Sequence, residues 1–286
     1  MTAYYEAGGV TLYLGDCRDV LPLLDRVDVT LTDPPYARDV YQRLGMPNTK
    51  PGSGTPARLV GKAYAYSSAA APRSGTPRTG ISNHQYSSVS IERLAAGAIG
   101  SIDEMLEDVA REIAHLTARW SLVFSDVETC HRWREQLELV GLRYVRTGAW
   151  VKDDPMPQFS GDRPAVGFEP CTIVHARGPM RWNGGGHPAV WHYGTVKRNR
   201  PDHPCPKPLA LMRELVRLFS DPGETILDCF AGSGTTLIAA RIEGRKAIGI
   251  ECNEAYAEVA ARRLERGDVG ARQMQQGMFA LDEVAS

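Results

Sequence analysis

Apolar and polar residues alternate over Val10-Thr-Leu-Tyr-Leu14, the period of two expected of a half-buried strand, and Gly15-Asp16-Cys17 ends the run. Val20 to Leu24 reads as a short helix and Val27-Asp-Val-Thr-Leu-Thr32 as the strand after it, a compact β-α-β opening. The pattern is lost from Pro47 to Ser90, where Ser, Gly, Pro and Ala dominate. Such a stretch buries too little apolar surface to offset its ordering entropy, so residues 37–90 are expected to form a long, flexible, basic insertion. Ser101-Ile-Asp-Glu104 has capping-box spacing and predicts a helix with apolar positions 102, 105, 106, 109, 113 and 116. The strand Trp120-Ser-Leu-Val-Phe124 follows, then a helix from Glu128 to Val140 stopped by Gly141, and strands over 143–151 and 171–175. Residues 178–206 are again rich in Gly and Pro, and set Trp182, Trp191 and Tyr193 among Arg181, Lys197, Arg198 and Arg200. Helix 207–219, strand 225–228, helix 235–242, strand 246–251 and helix 254–266 complete the pattern, with no internal repeat. Strands alternating with helices in this way predict a single α/β domain over 1–286, built on a doubly wound, largely parallel, Rossmann-like sheet.

Two predicted strand ends carry chemistry. Phe230-Ala-Gly232-Ser-Gly234-Thr-Thr joins a strand to a helix, and its glycines allow backbone to approach a ligand at a helix N-terminus. Leu237 follows Thr236 where a dinucleotide fingerprint has its third glycine, which disfavours a pyrophosphate cofactor. Glu251 ends the next strand, where a carboxylate accepts from both ribose hydroxyls, so a nucleoside-like ligand is expected. An ordinary tight β-α turn beside a surface Glu is the plainer reading. At Asp33-Pro34-Pro35-Tyr36 the prolines restrict the backbone and remove donors, leaving the Asp33 carboxylate and the Pro34 carbonyl as acceptors for a planar NH2 group. Tyr36 adds a ring face on which a base can stack. A Pro-Pro turn capped by Asp is the alternative.

Composition narrows the class. A chain of 286 residues, 43% hydrophobic and 23% charged, suits a soluble globular protein with a sizeable core. No apolar run reaches membrane-spanning length and no basic-then-apolar leader opens the chain, so a cytoplasmic protein is expected. The six cysteines are scattered with no C-x-x-C pair, which favours reduced thiols over a disulfide framework or zinc ribbon. The net charge of −1 hides an uneven distribution. Residues 37–90 hold seven Lys/Arg against one acid and residues 177–207 hold six against Asp202, while the remainder holds 20 basic and 32 acidic residues. Two basic segments on an acidic body suit a polyanion lying across one face, and equally suit solvated loops.

Taken in chain order, these residues resemble the permuted, β-class amino-methyltransferases of DNA, which place Asp-Pro-Pro-Tyr ahead of the S-adenosylmethionine loop. Gly15-Asp16-Cys17 resembles the acidic turn beside the cofactor adenine, and Trp150-Val-Lys152 the strand near the flipped base. His203-Pro-Cys-Pro-Lys207-Pro208 resembles the cofactor-flanking motif. The resemblance covers 10–36, roughly 100–177 and 200–266, and implies a class I methyltransferase fold with a mixed sheet of about seven strands, one antiparallel. It implies Asp33, Pro34, Pro35 and Tyr36 as catalytic residues. For S-adenosylmethionine it implies Asp16 and Cys17 near the adenine, Phe230, Gly232, Gly234 and Thr235 in the loop, Asp228 beneath the methionine end, Glu251 at the ribose, and Lys207 and His203 flanking the methionine side.

In the implied reaction, acceptance of both amine protons by Asp33 and Pro34 aims the nitrogen lone pair at the methyl, an orientation worth up to roughly 7–11 kcal/mol. Carbon-5 cytosine methylation requires a thiolate, and Pro-flanked Cys205 reads as structural. His187, His192, His203 and Cys205 fit no familiar zinc spacing, so no metal is expected. Asp at the first motif position implies adenine N6 as the target, with cytosine N4, where Ser is common, as the alternative. Lys152, Arg181, Lys197, Arg198 and Arg200 are the candidate DNA contacts, and 178–202 the candidate target-recognition segment; a solvated loop with buried tryptophans competes. Double-stranded DNA is the implied partner, with a homodimer and a restriction endonuclease left open. Motif order disfavours RNA or protein-glutamine methylation, and a catalytically silent, cofactor-sensing DNA-binding protein remains a further reading.

Overall fold

Tyr5–Ala7 (β1) and Val10–Leu14 (β2) form a hairpin joined by Gly8 and Gly9, whose φ values of 59° and 76° are those a two-residue turn between strands demands. The computed structural model describes residues 1–35, 102–155, 157, 162, 164–196 and 206–267. The predicted insertion at 37–90, together with Tyr36, Lys197, Arg198, Arg200, His203 and Cys205, lies outside the described residues. After the hairpin come the short helix Cys17–Val20 (α1), a 3-10 turn over Leu21–Leu23, and the strand Val29–Thr32 (β3). The chain continues through Leu106–Leu116 (α2), Trp120–Phe124 (β4), Cys130–Leu139 (α3), Arg143–Lys152 (β5), Phe168–His175 (β6) and Val190–Tyr193 (β7). Leu209–Phe219 (α4), Thr225–Asp228 (β8), Thr235–Ile242 (α5), Lys246–Glu251 (β9) and Glu254–Arg266 (α6) follow. The helix expected to open at the Ser101 capping box begins instead with a 3-10 turn over Ile102–Glu104, and α2 proper starts at Leu106.

The sheet order is β1-β2-β9-β8-β3-β4-β6-β5-β7. Its seven inner strands, β2 to β5 in that order, are the mixed sheet expected, with β6 antiparallel to both neighbours. Two edge strands extend it to nine: β1, which is antiparallel to β2, and β7, which is parallel to β5. The edge at β7 departs from the irregular segment expected over 178–206. Trp191 is buried there opposite Trp150, and Gly148 makes room for it, since a Cβ on Gly148 would lie 2.6 Å from Trp191 Cζ3. Trp182 also packs edge-on against Phe219 at 4.8 Å between ring centroids, so both tryptophans of this stretch serve the core.

The central strands are buried on both faces, as parallel strands covered by helices must be. Trp120, Leu122 and Phe124 of β4 face a cluster with Leu211, Leu215 and Phe219 of α4 and Leu237 and Ile238 of α5. Val123 between them faces the other cluster, with Val109 and Ile113 of α2 and Trp133 of α3. Strand order reverses between β8 and β3: β8 leads through α5 to β9 on one side, and β3 lies beside β4 on the other. In open α/β sheets, ligands collect at such a reversal, outside the carboxyl ends of the strands.

Candidate active site

The register pairs Thr30 with Leu227 and Leu227 with Ile248, so Asp33, Asp228 and Glu251 emerge side by side at the carboxyl edge of β3, β8 and β9. Gly232 (φ 51°) and Gly234 (φ 79°) turn the chain from β8 into α5, and a Cβ on Gly234 would lie 2.9 Å from Ala260 Cβ. Arg263 of α6 donates to the Ser233 carbonyl at 2.7 Å and to Thr235 Oγ1 at 3.2 Å, pinning the loop from behind. Glu251 is buried and accepts from Gly232 N–H and Asn253 N–H, both at 2.8 Å, one on each oxygen. Oε1 also accepts from the Cys252 thiol, a weak donor, at 3.8 Å, and Oε2, with one of its two lone pairs used, retains capacity for a further donor. Burial raises the Glu251 carboxyl above its usual range.

Asp228 is buried beneath the loop and accepts from Thr32 Oγ1 at 2.8 Å and Phe230 N–H at 3.1 Å. Burial pushes its carboxyl up to about 6 despite those bonds. Asp16 caps α1, accepting Arg18 N–H at 3.0 Å and a two-pronged Arg18 guanidinium contact at 2.9 and 2.7 Å. Cys17 is buried beside it, and burial pushes its thiol well up.

On the other side of the site, Asp33 is half-buried and Pro34 buried. Asp33 Oδ2 accepts from Lys207 Nζ, whereas Oδ1 is enclosed and accepts no hydrogen bond among the described residues. Lys207 Nζ also lies 3.0 Å from Glu169 Oε2, and Glu169 Oε1 lies 2.8 Å from Lys152 Nζ. Phe124 and Trp150 wall this row, their ring centroids 5.1 and 6.0 Å from Lys207 Nζ. Burial raises the Asp33 carboxyl, and Lys207 opposes only part of that rise. Burial pushes Glu169 the same way, but the two lysines outweigh it and hold its carboxyl below the usual range.

The structure therefore gathers Asp16, Cys17, Asp33, Pro34, Asp228, Phe230, Gly232, Gly234, Thr235 and Glu251 along one sheet edge, where Pro35 also lies. Lys207 is placed against Asp33, and Lys152 is drawn into the same row. Arg181 is not brought there: it pairs with Asp221 at 3.1 Å, and its carbonyl accepts from Trp120 Nε1 at the start of β4, the opposite edge. Glu169 escapes the sequence reading because the predicted strand begins at 171, three residues after the observed start at Phe168. The signal was present as a lone acid between Phe168 and Pro170 at the head of an apolar run. His187 and His192 take separate partners, Glu214 at 3.3 Å and Asp153 at 3.6 Å.

A doubly wound sheet with this strand order and two acidic loops at its reversal is the class I methyltransferase architecture. A model of the N6/N4-type DNA methylase family matches residues 27–262, and the chain belongs to that family. The DNA adenine methyltransferase YhdJ of Escherichia coli is 36% identical over 124 residues, 40% of this chain and 42% of that protein. The matched stretches span only 24–42% of the lengths of the curated relatives. Among solved structures, the M1.HpyAVI complex with S-adenosylmethionine superposes with a TM-score of 0.59 at 19% identity, covering 89% of this chain and 98% of that one. The cytosine-N4-specific PvuII DNA methyltransferase superposes with a TM-score of 0.62 at 15% identity, covering 92% and 90%. At these identities the likeness is one of fold. No helix among the described residues is long and apolar enough to cross a membrane.

Proposed function

We propose that this protein transfers a methyl group from S-adenosylmethionine to the exocyclic N6 amine of adenine in double-stranded DNA. The observation that carries the reading is the placement of Asp33, with one enclosed carboxylate oxygen that has no hydrogen-bond partner among the described residues, at the end of the strand beside Asp228 and the glycine loop. The loop residues fit the cofactor. Two glycines leave a cradle that a side chain at Gly234 would disturb, Glu251 is held by two backbone N–H groups and keeps capacity on Oε2, with only a weak thiol donor to displace on Oε1, for ribose hydroxyls, and Asp228 is a buried carboxyl whose charge a cationic ligand end would offset. Gly232, Gly234, Thr235 and Phe230 would shape the site, Glu251 would hold the ribose, and Asp16 would lie toward the adenine. When bound, the cofactor supplies an electrophilic methyl on a sulfonium.

The chain's own task is to hold the acceptor. Asp33 Oδ1 and the Pro34 carbonyl accept the two amine protons, which favours a pyramidal nitrogen with its lone pair free. Positive charge developing on that nitrogen is stabilised by the same acceptors. Proline at both following positions leaves no backbone N–H to compete for the carboxylate. Extrusion of the base costs a few kcal/mol, offset by stacking on Tyr36 and by phosphate contacts of the basic segments. Adenine is favoured over cytosine by Asp at the first motif position and by the likeness to an adenine methyltransferase. Duplex DNA treated with the protein and isotopically labelled cofactor, digested and read by nucleoside mass spectrometry, tests the reading. Label on N6-methyladenine is expected; label on N4-methylcytosine overturns the base assignment, and label on no nucleoside leaves a cofactor-sensing DNA-binding protein in its place.

A further inference from the structure

Asp33, Lys207, Glu169 and Lys152 form one row of alternating charge at the carboxyl edge of the sheet. Lys207 is the pivot: it donates to Asp33 Oδ2 while its Nζ stays 3.0 Å from Glu169 Oε2. Its side chain is 8% exposed and that of Glu169 12%, so neither is freely solvated. A buried ammonium with a single carboxylate neighbour settles on it as closely as geometry allows. With Asp33 as that neighbour, it would compete with a neutral amine for both oxygens. Glu169, directly across the sheet from Trp150, gives Lys207 a second carboxylate besides that of Asp33.

We propose that Glu169 is a positioning residue of the acceptor site: by sharing the Lys207 ammonium with Asp33, it confines Lys207 to Oδ2 and leaves Oδ1 to accept from the target amine. The inference rests on Asp33 being the amine acceptor. Lys152 completes the arrangement by neutralising Glu169, to which it lies 2.8 Å, so that the second carboxylate does not repel the first unchecked. The groups acting on Asp33 are Lys207, Glu169 and Lys152, with Asp228 and the Cys171 thiol also within electrostatic reach. Of these, Glu169 is the like charge that pushes Asp33 up after burial itself.

The pH profile separates this role from a merely structural one. Glu169→Gln removes a like charge from Asp33 and frees Lys207 to close on it. Both changes favour the ionised carboxylate, so the acid limb of kcat/KM moves to lower pH. Yet the rate falls, by roughly ten- to hundredfold at the optimum, because Lys207 now competes for Oδ1. Cofactor affinity, read by calorimetry, is expected to stay within about twofold. Glu169→Asp, which restores the charge, returns the acid limb toward the wild-type position. The inference is overturned if Glu169→Gln keeps the wild-type rate and limb, if its limb moves upward, or if both variants lose cofactor binding and thermal stability together. A wild-type protein that methylates no DNA would instead defeat the acceptor reading itself, an outcome distinguishable from an active wild type with an indifferent Glu169.

Discussion

Asp33 and Asp228 end neighbouring strands, and burial raises both carboxyls, Asp228 to about 6. A raised folded value means that the neutral form is favoured in the folded state. For Asp228, that contribution to stability is complete below the ordinary value of 3.8 and is lost as pH rises through about 6. Asp228→Asn keeps an oxygen to accept from Thr32 and Phe230 but never ionises. Without cofactor it is expected to match wild type near pH 4 and to exceed it above pH 7 by on the order of 1–3 kcal/mol, measured by urea denaturation. A stability difference that does not change with pH would show that the Asp228 charge costs nothing where it sits. Asp33→Ala is expected to reduce methyl transfer by roughly 10²–10³-fold while calorimetry still detects cofactor binding, since Lys207 retains Glu169 as a partner. Near-normal turnover in that variant would defeat the acceptor role. Asp33, Asp228 and Glu251 were legible in the sequence because each ends an apolar run, the first two directly before a Pro or Gly loop. Glu169 was not, because its meaning depends on two lysines 17 and 38 residues away in the chain that only the sheet brings to it.

At the level of elements, the boundaries that sequence pattern foretold to the residue are those with apolar cores and clean stops: β2, β4, β8, α5, β9 and α6. The two edge strands were not foretold. β1 is three residues long, too short for any period to show, and only Gly8-Gly9 marks its turn. β7 is four residues inside a Gly/Pro-rich stretch, and its existence depends on Trp191 finding the groove over Gly148. That fit can be probed directly. In Gly148→Ala the new methyl would meet Trp191 Cζ3 at 2.6 Å and the Ala189 carbonyl oxygen at 3.0 Å, so the edge strand must shift or detach. The expected loss is about 1–3 kcal/mol, or a fall of roughly 2–4 °C in Tm per kcal/mol. Because Trp150 pairs with Trp191 and its Nε1 donates to the Tyr193 carbonyl at 2.9 Å, the wall of the acceptor pocket loosens with it. Unchanged Tm and unchanged tryptophan fluorescence would show that β7 does not hold Trp150.

On the scale of the whole molecule, the pairing of β3 with β8 makes one site of two motifs 195 positions apart, while the residues best suited to grip a polyanion lie in segments that interrupt the sheet pattern. The sheet and its helices carry the excess of acids, and residues 37–90 and 177–207 carry the excess of bases. If the proposed activity on duplex DNA holds, this charge distribution has the duplex held from these segments rather than by the body. Of the described basic candidates, Lys152 is committed to Glu169 and Arg181 pairs with Asp221 at the far edge, so neither is well placed to meet phosphates beside Asp33. Lys197, Arg198 and Arg200 follow β7, whose carboxyl end lies next to Lys152 in the register and hence on the Asp33 side. Each phosphate neutralised releases counterions and adds about 0.9 to the slope of log affinity against log salt. Replacing all three residues by Gln is expected to reduce that slope by up to about 3 and to weaken duplex binding uniformly across sequences at low salt, with cofactor affinity unchanged. Fluorescence anisotropy over a salt series reads both quantities. A slope equal to that of the wild type would remove these three residues from the phosphate contacts and move the grip on DNA to residues 37–90.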